Sequence, residues 1–104
     1  MAVGAILVRA TPDITMLNPP ALLRRGTPGS GRVLSVRNSG TVLDQVDLVV
    51  ILRLEVTVPD RAPYPAVATH VLRGRAAWDS IGPGTLLPVR VDPAYPHNVA
   101  VEPG

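Results

Sequence analysis

The chain contains no cysteine, no lysine and no phenylalanine among its 104 residues. Without cysteine, disulfides, thiolate zinc sites and cysteine nucleophiles are excluded. The aromatic residues are only Tyr64, Trp78 and Tyr95, so the core must be built from Val, Leu, Ile and Ala. All ten basic residues are arginine and the formal net charge is +2, which is too small to indicate a nucleic-acid partner by itself.

No apolar run is long enough to cross a membrane as a helix. The longest run near the start, residues 2–8, falls far short of the roughly 20 residues that a spanning helix needs. No arginine precedes it and Arg9 follows it directly, so we interpret it as a first strand rather than an export signal. We therefore expect a cytoplasmic protein with no membrane partner.

Twelve prolines, nine glycines and abundant valine favour strands and turns over helices. Only "PPALLRRG", residues 19–26, is typical of a helix, with Pro20 in the first turn and Gly26 as the C-terminal cap. We find no repeat and no linker. We expect one domain, residues 1–104, in which residues 1–30 hold the first strand and a Pro/Gly-rich segment and residues 31–104 form the main β core.

The strongest element is "QVDLVVILRLEVTV", residues 45–58. Strict alternation of apolar residues predicts a strand with one buried face. The middle of its other face carries Val49 and Ile51, so this strand is apolar on both sides there. The residues that we predict to face the core are Val46, Leu48, Val50, Leu52, Leu54 and Val56.

Further strands are predicted at residues 32–38, 66–74, 85–92 and 98–103. The "NSGT" that follows residue 37 indicates a turn, and "GPGT" indicates a type II turn with Pro83 and Gly84 at its centre. Pro88 marks its strand as an edge strand or a bulge. With residues 2–8 and 45–58 this gives about six antiparallel strands, an all-β barrel or sandwich with at most one short helix.

Three segments resemble a family of uncharacterised small actinobacterial β domains. They are "LLRRGTPGSGRVLSVRNSGT", "LRLEVTVPDRAPYPA" and "GPGTLLPVRVDPAYPHNVAVE", which lie between about residues 20 and 102. In that family a strand ending in "LEV" precedes a "PPY"-like turn, and a "PG…LPVRVDP…P" segment closes the domain. The resemblance implies a β fold and carries no activity.

Asp92, Tyr95 and His97 lie within six positions and could form a site or only a turn between strands. An Asp before a Pro at a strand end accepts backbone N–H bonds and starts a turn. No nucleophile or second base is recognisable to complete a catalytic pair. We interpret the stretch as a turn.

His70 and His97 are the only histidines, 27 positions apart and without cysteine partners, which falls short of a metal site. His70 has the parity of Ala66, Ala68 and Leu72 in its strand. We therefore predict no catalytic residue, no metal and no cofactor.

Six arginines form two clusters in the sequence and are the candidate nucleic-acid contacts. Such a site also needs aromatic stacking platforms, and the three aromatics are scattered. A nucleic-acid partner is therefore not expected, although an oligonucleotide-binding barrel stays the alternative. The six are Arg24, Arg25, Arg32, Arg37, Arg73 and Arg75.

We expect a small module without catalytic activity that self-associates, with Val49 and Ile51 as the candidate interface. A small barrel has one interior, so apolar side chains on its outer face need a cover. A second subunit is one candidate, and the proline-rich segment 11–31, with Met16, Leu17, Leu22 and Leu23, is the other. A different protein is a further candidate partner, which Trp78 would anchor unless it closes a barrel end. An enzyme is the third and least supported alternative.

Overall fold

The computed structural model describes residues 15–103. This part of the chain is an antiparallel sheet with one short helix, so the predicted all-β class is confirmed. A 3₁₀ turn at Arg75–Ala77 joins the third and fourth strands. The other elements are α1 (Pro19–Arg25), β1 (Thr27–Leu43), β2 (Asp47–Thr57), β3 (Tyr64–Leu72), β4 (Leu86–Val91) and β5 (Val99–Val101).

The five strands neighbour one another in the order β3-β2-β1-β4-β5. β1 is shared, since Thr27 to Arg32 pair with β4 while Ser30 to Leu43 pair with β2. β3 and β5 are the edges, and they contact each other without ladder hydrogen bonds, so the sheet is not closed. The sequence predicts about six strands, and residues 15–103 form five. The predicted strand at residues 2–8 lies outside the described residues.

β1 is much longer than the predicted strand at residues 32–38. The sequence did not predict its first part, because that part contains proline and glycine. Close packing explains the two glycines. A Cβ at Gly29 would lie 2.6 Å from the Thr57 carbonyl oxygen, and one at Gly31 would lie 3.2 Å from Leu54 and Val89. Glycine is therefore needed where β1 passes between its two neighbours.

The predicted turn at "NSGT" is wrong. These residues form an irregularity within β1, between Asn38 and Thr41, and the strand continues to Leu43. The hairpin instead turns at Asp44 and Gln45, which both have positive φ, with the Val46 N–H bonded to the Leu43 carbonyl. Two central residues of positive φ match the right-handed twist of the strands that they join.

The core lies on one face of β2, as predicted from its alternation. Leu52, Leu54 and Val56 are completely buried, and they pack with Val33 of β1, Val89 of β4 and small residues of β3. The prediction for Val46 is wrong, because Val46 belongs to the hairpin turn before β2 and is 40% exposed.

The predicted short helix is confirmed as α1. The Asn18 side chain caps it by accepting the N–H of Ala21, and Gly26 follows the last turn. α1 packs against β4 and β5. Among the described residues no helix has the length and hydropathy that crossing a membrane requires.

The two expectations for the segment before and within β4 have different outcomes. Gly84 has a φ of +92° and the Thr85 N–H bonds the Gly82 carbonyl at 3.1 Å, as a type II turn requires. β4 lies between β1 and β5, so it is not an edge strand. Pro88 lies just before Val89, the first residue of β4 that pairs with β5, and its carbonyl accepts the Glu102 N–H at 2.9 Å. The proline therefore stands at the end of the β4–β5 pairing.

Candidate functional site

The stretch from Asp92 to Asn98 forms the connection between β4 and β5. The Asp92 carboxylate is 1% exposed and accepts hydrogen bonds from the N–H groups of Leu17 at 2.8 Å and Ala94 at 2.9 Å, and from Asn98 Nδ2 at 3.2 Å. The backbone N–H of Asp92 bonds the Asn98 carbonyl at 3.0 Å. Both oxygens of this acid are therefore engaged in holding the turn and the segment before α1.

Burial alone would raise the pKa of the Asp92 carboxyl group. The hydrogen bonds from Leu17, Ala94, Asn98 and Tyr95 stabilise the charged form more strongly, so the pKa lies below its ordinary value. Asp92 is thus a carboxylate that is kept charged, and it has the contacts of a structural group.

His97 and Asp92 have different contacts. His97 is exposed and its ring meets the edge of the Tyr64 ring, with centroids 5.4 Å apart. The Tyr64 hydroxyl donates to the Pro96 carbonyl at 2.6 Å, and burial raises the pKa of Tyr64. Tyr64 therefore fastens the start of β3 to the β4–β5 turn.

Among residues 15–103 no three His, Asp or Glu side chains are grouped closely enough to hold a metal ion. His70 stands on the core-facing side of β3, beside the gap that separates β3 from β5. Burial lowers the pKa of His70. Its parity with the buried residues Ala66 and Ala68 was the signal in the sequence for this position.

A groove of about 670 Å³ opens beside this gap, and we call it the β3–β5 groove. Residues 69–73 of the chain form one wall, and Pro19 and Leu23 of α1 stand at another. The charged residues in its lining are Arg73 and Glu102. Most of the remaining lining is apolar, including Leu72, Ile81, Leu87 and Val101.

The six candidate arginines are distributed over four parts of the fold. Arg24 and Arg25 end α1, Arg32 and Arg37 lie on β1, Arg73 follows β3, and Arg75 begins the 3₁₀ turn.

Three of these arginines have partners within the protein. Arg32 pairs with Glu55 at 3.0 Å, and Arg73 lies 3.6 Å from Asp47. The Arg75 guanidinium lies 5.0 Å from the centre of the Trp78 ring. Carboxylates of the protein itself therefore offset part of the charge of Arg32 and Arg73.

Trp78 holds the hairpin turn. Its Nε1–H donates to the Val46 carbonyl at 2.8 Å, and its ring packs on the edge of the hydrophobic core. Trp78 therefore fastens the segment after β3 to the β1–β2 hairpin turn.

Val49 and Ile51 lie on the outer face of β2, opposite its buried residues, and both are half-buried. Cross-strand pairing places Val71 beside Val49, and Thr69 beside Ile51. Val67 pairs with Arg53 and is 57% exposed. We call Val49, Ile51, Val67 and Val71 the outer apolar patch.

The chain matches no family model, no curated protein and no solved structure.

Proposed function

We propose that the protein is a small binding module without catalytic chemistry, which self-associates through the outer apolar patch. The observation that carries this proposal is the grouping of Val49, Ile51, Val67 and Val71 on one face of an edge-strand pair. Because the core of residues 15–103 lies on the opposite face of the sheet, the patch is not part of that core.

A second copy of the chain fits this patch better than the proline-rich segment does. The part of that segment described here, residues 15–31, forms α1 and the start of β1, and α1 packs against β4 and β5. Its Leu22 is buried there and so is not free to cover Val49 or Ile51.

Charged residues border the patch on the same face of the sheet. Arg53 lies on β2, and Arg37 of β1 pairs with Ile51. Asp47 and Glu55 lie at the two ends of this face of β2 and are paired with Arg73 and Arg32. Fully burying a Val or Ile side chain is worth roughly 1.5–3 kcal/mol, and a two-fold interface counts each one twice.

The variants Val67→Arg and Ile51→Arg test this function by light scattering, together with Val42→Arg. Val42 is also an exposed valine of the β1–β2 hairpin, 43% accessible, but it pairs with the core residue Leu48 and so lies on the other face. The first two variants should be folded monomers, whereas Val42→Arg should associate like the unmodified protein. If Val42→Arg alone gives a monomer, the interface is at the hairpin end and the proposal is wrong.

Oligonucleotide binding is the second candidate, and the strand order favours it. The five antiparallel strands share a long β1, which pairs with both β2 and β4. Partly open barrels that bind oligonucleotides have the same arrangement. This support for the second candidate is an analogy of fold. A depression of about 330 Å³ beside the patch includes Arg53 and His97 in its lining. Salt-dependent affinity for a single strand separates this function from the first.

A further inference from the structure

His70 brings an unpartnered polar group to the lining of the β3–β5 groove. The residue is half-buried there, and among residues 15–103 no hydrogen bond reaches either nitrogen of its ring. The Ser80 hydroxyl, which also lines the groove, already donates to the Ala77 carbonyl at 2.5 Å. Thr69 belongs to the outer face of β3, beside Ile51. The His70 imidazole is therefore available to a ligand in the groove.

The His70 ring is uncharged at neutral pH, because burial lowers its pKa below the ordinary value of 6.5. A neutral imidazole has one N–H donor and one acceptor nitrogen. It can therefore bond a hydroxyl or a carbonyl group and does not require a charged partner.

The charged residues of the groove have counter-charges within the protein. The Arg73 guanidinium lies 3.6 Å from the Asp47 carboxylate, and the Glu102 carboxylate lies 3.6 Å from Arg90 Nε. Because each charge is offset by a neighbour, the groove does not favour an anion over a cation.

The size and the walls of the groove fit a small molecule. Its volume of about 670 Å³ lies in the range of roughly 300–1,000 Å³ that is usual for such sites, which are also mainly apolar. The described part of the lining contains no Tyr or Trp, so it does not favour a flat ring by stacking. Aliphatic side chains from α1 and three strands line it, namely Leu23, Leu72, Leu87 and Val101.

We propose that the β3–β5 groove binds an uncharged aliphatic molecule with a single hydroxyl or carbonyl group, which hydrogen-bonds the His70 ring. The aliphatic part is buried against the apolar walls, and the polar group satisfies the imidazole. This binding does not depend on self-association, because Val67 of the outer apolar patch does not line the groove.

The fluorescent probe N-phenyl-1-naphthylamine, which is uncharged and has one N–H group, tests the groove. The unmodified protein should bind it saturably. Ala100→Trp should fill the groove and weaken binding at least about tenfold. Ala62→Trp, at an exposed position in the loop before β3, is the matched control and should leave binding unchanged.

Ile81→Asp provides a second groove variant, which is decisive if circular dichroism shows that Ala100→Trp does not fold. It places a charge in the apolar lining and should also weaken probe binding. The absence of saturable binding to the unmodified protein would overturn the proposal. Equal binding by the folded groove variants and Ala62→Trp would overturn it as well.

Val67→Arg separates this site from the outer apolar patch. The variant should bind the probe like the unmodified protein, whatever its state of association. Loss of binding in Val67→Arg, with binding retained in Ala100→Trp, would place the probe on the patch and contradict the proposal.

A pair of competitors tests the hydrogen bond to His70. Octan-1-ol and 1-fluorooctane have nearly the same shape, but fluorine is a poor hydrogen-bonding group. The preference for the alcohol, measured by displacement of the probe, should fall about three- to tenfold in His70→Leu, because one neutral hydrogen bond is lost. His70→Gln keeps a donor and an acceptor and should retain the preference. An unchanged preference in His70→Leu would overturn the proposal.

Discussion

The Asp92 carboxylate accepts a 2.8 Å hydrogen bond from the N–H of Leu17, a residue 75 positions earlier in the chain. The same oxygen accepts a second bond from Asn98 Nδ2, which also donates to the Leu17 carbonyl. Three residues thus fasten the segment before α1 to the β4–β5 turn. A buried acid with this set of bonds has a structural task in the fold.

Replacing Asp92 should lower stability. Asp92→Ala removes the acceptor of three hydrogen bonds and leaves buried N–H groups unpaired. For a domain of this size we expect a fall in melting temperature of at least about 4–8 °C, measured by circular dichroism. Asp79→Ala at an exposed position is the control and should leave the melting temperature unchanged.

The contribution of Asp92 to the stability of the folded protein should also depend on pH. The pKa of Asp92 in the folded protein lies below its ordinary value of 3.8, so its contribution is present above that pH and is lost as pH falls through the folded pKa. Asp92→Asn should therefore flatten the acid limb of the stability curve. An acid limb identical to that of the unmodified protein would contradict this role.

The sequence predicted the elements in which local pattern and packing agree. The alternation of β2, the helix α1 between Pro20 and its cap Gly26, and the turn at Gly84 each depend on a few neighbouring residues. β1 was underestimated because Gly29 and Gly31 resemble a loop until the neighbouring strands are known to press against them. Long-range packing decided that case.

The candidate surfaces were predicted only in part. The parity of Val49 and Ile51 indicated the outer face of β2, but Val67 and Val71 join them through a strand register that the sequence does not specify. The groove could not be foreseen, because it depends on how far β3 and β5 separate. The six arginines could be identified in the sequence, but their distribution over four parts of the fold could not be predicted from it.

His70 should make stability depend on pH near neutrality. Burial lowers its pKa in the folded protein, so its contribution is full above the ordinary value of 6.5 and is lost as pH falls through the folded pKa. The charged residues lining the same groove are Arg73 and Glu102. Urea unfolding should give lower stability at about pH 5.5 than at about pH 7.5. His70→Gln should reduce this difference, and His97→Gln should keep it; equal differences in both variants would argue against the assignment.

The core of β2 should not tolerate a charge. Leu52 is fully buried, so Leu52→Asp places an unpaired carboxylate among apolar side chains at a cost comparable with the total stability of about 5–15 kcal/mol. We expect an unfolded chain by circular dichroism. Arg53→Asp, one position away on the exposed face, should fold. A folded Leu52→Asp protein would contradict the placement of Leu52 in the hydrophobic core.

Nucleic-acid binding should be weak or absent at physiological salt. The net charge is only +2, the arginines are dispersed, and the outer apolar patch contains no aromatic residue for stacking. Fluorescence anisotropy with a labelled single strand at about 0.15 M salt should give no sub-micromolar affinity. Such an affinity, weakened by Arg24→Ala and Arg25→Ala, would instead favour the second candidate function.

Sedimentation equilibrium of the unmodified protein tests self-association most directly. Mass action requires the average mass to rise with concentration, so the measurement should extend to about 100 micromolar. We predict a mass approaching twice the 11.0 kDa of one chain, or a larger closed ring, that returns to one chain in Val67→Arg. A mass of one chain at every concentration would contradict the account and leave the outer apolar patch without a second copy.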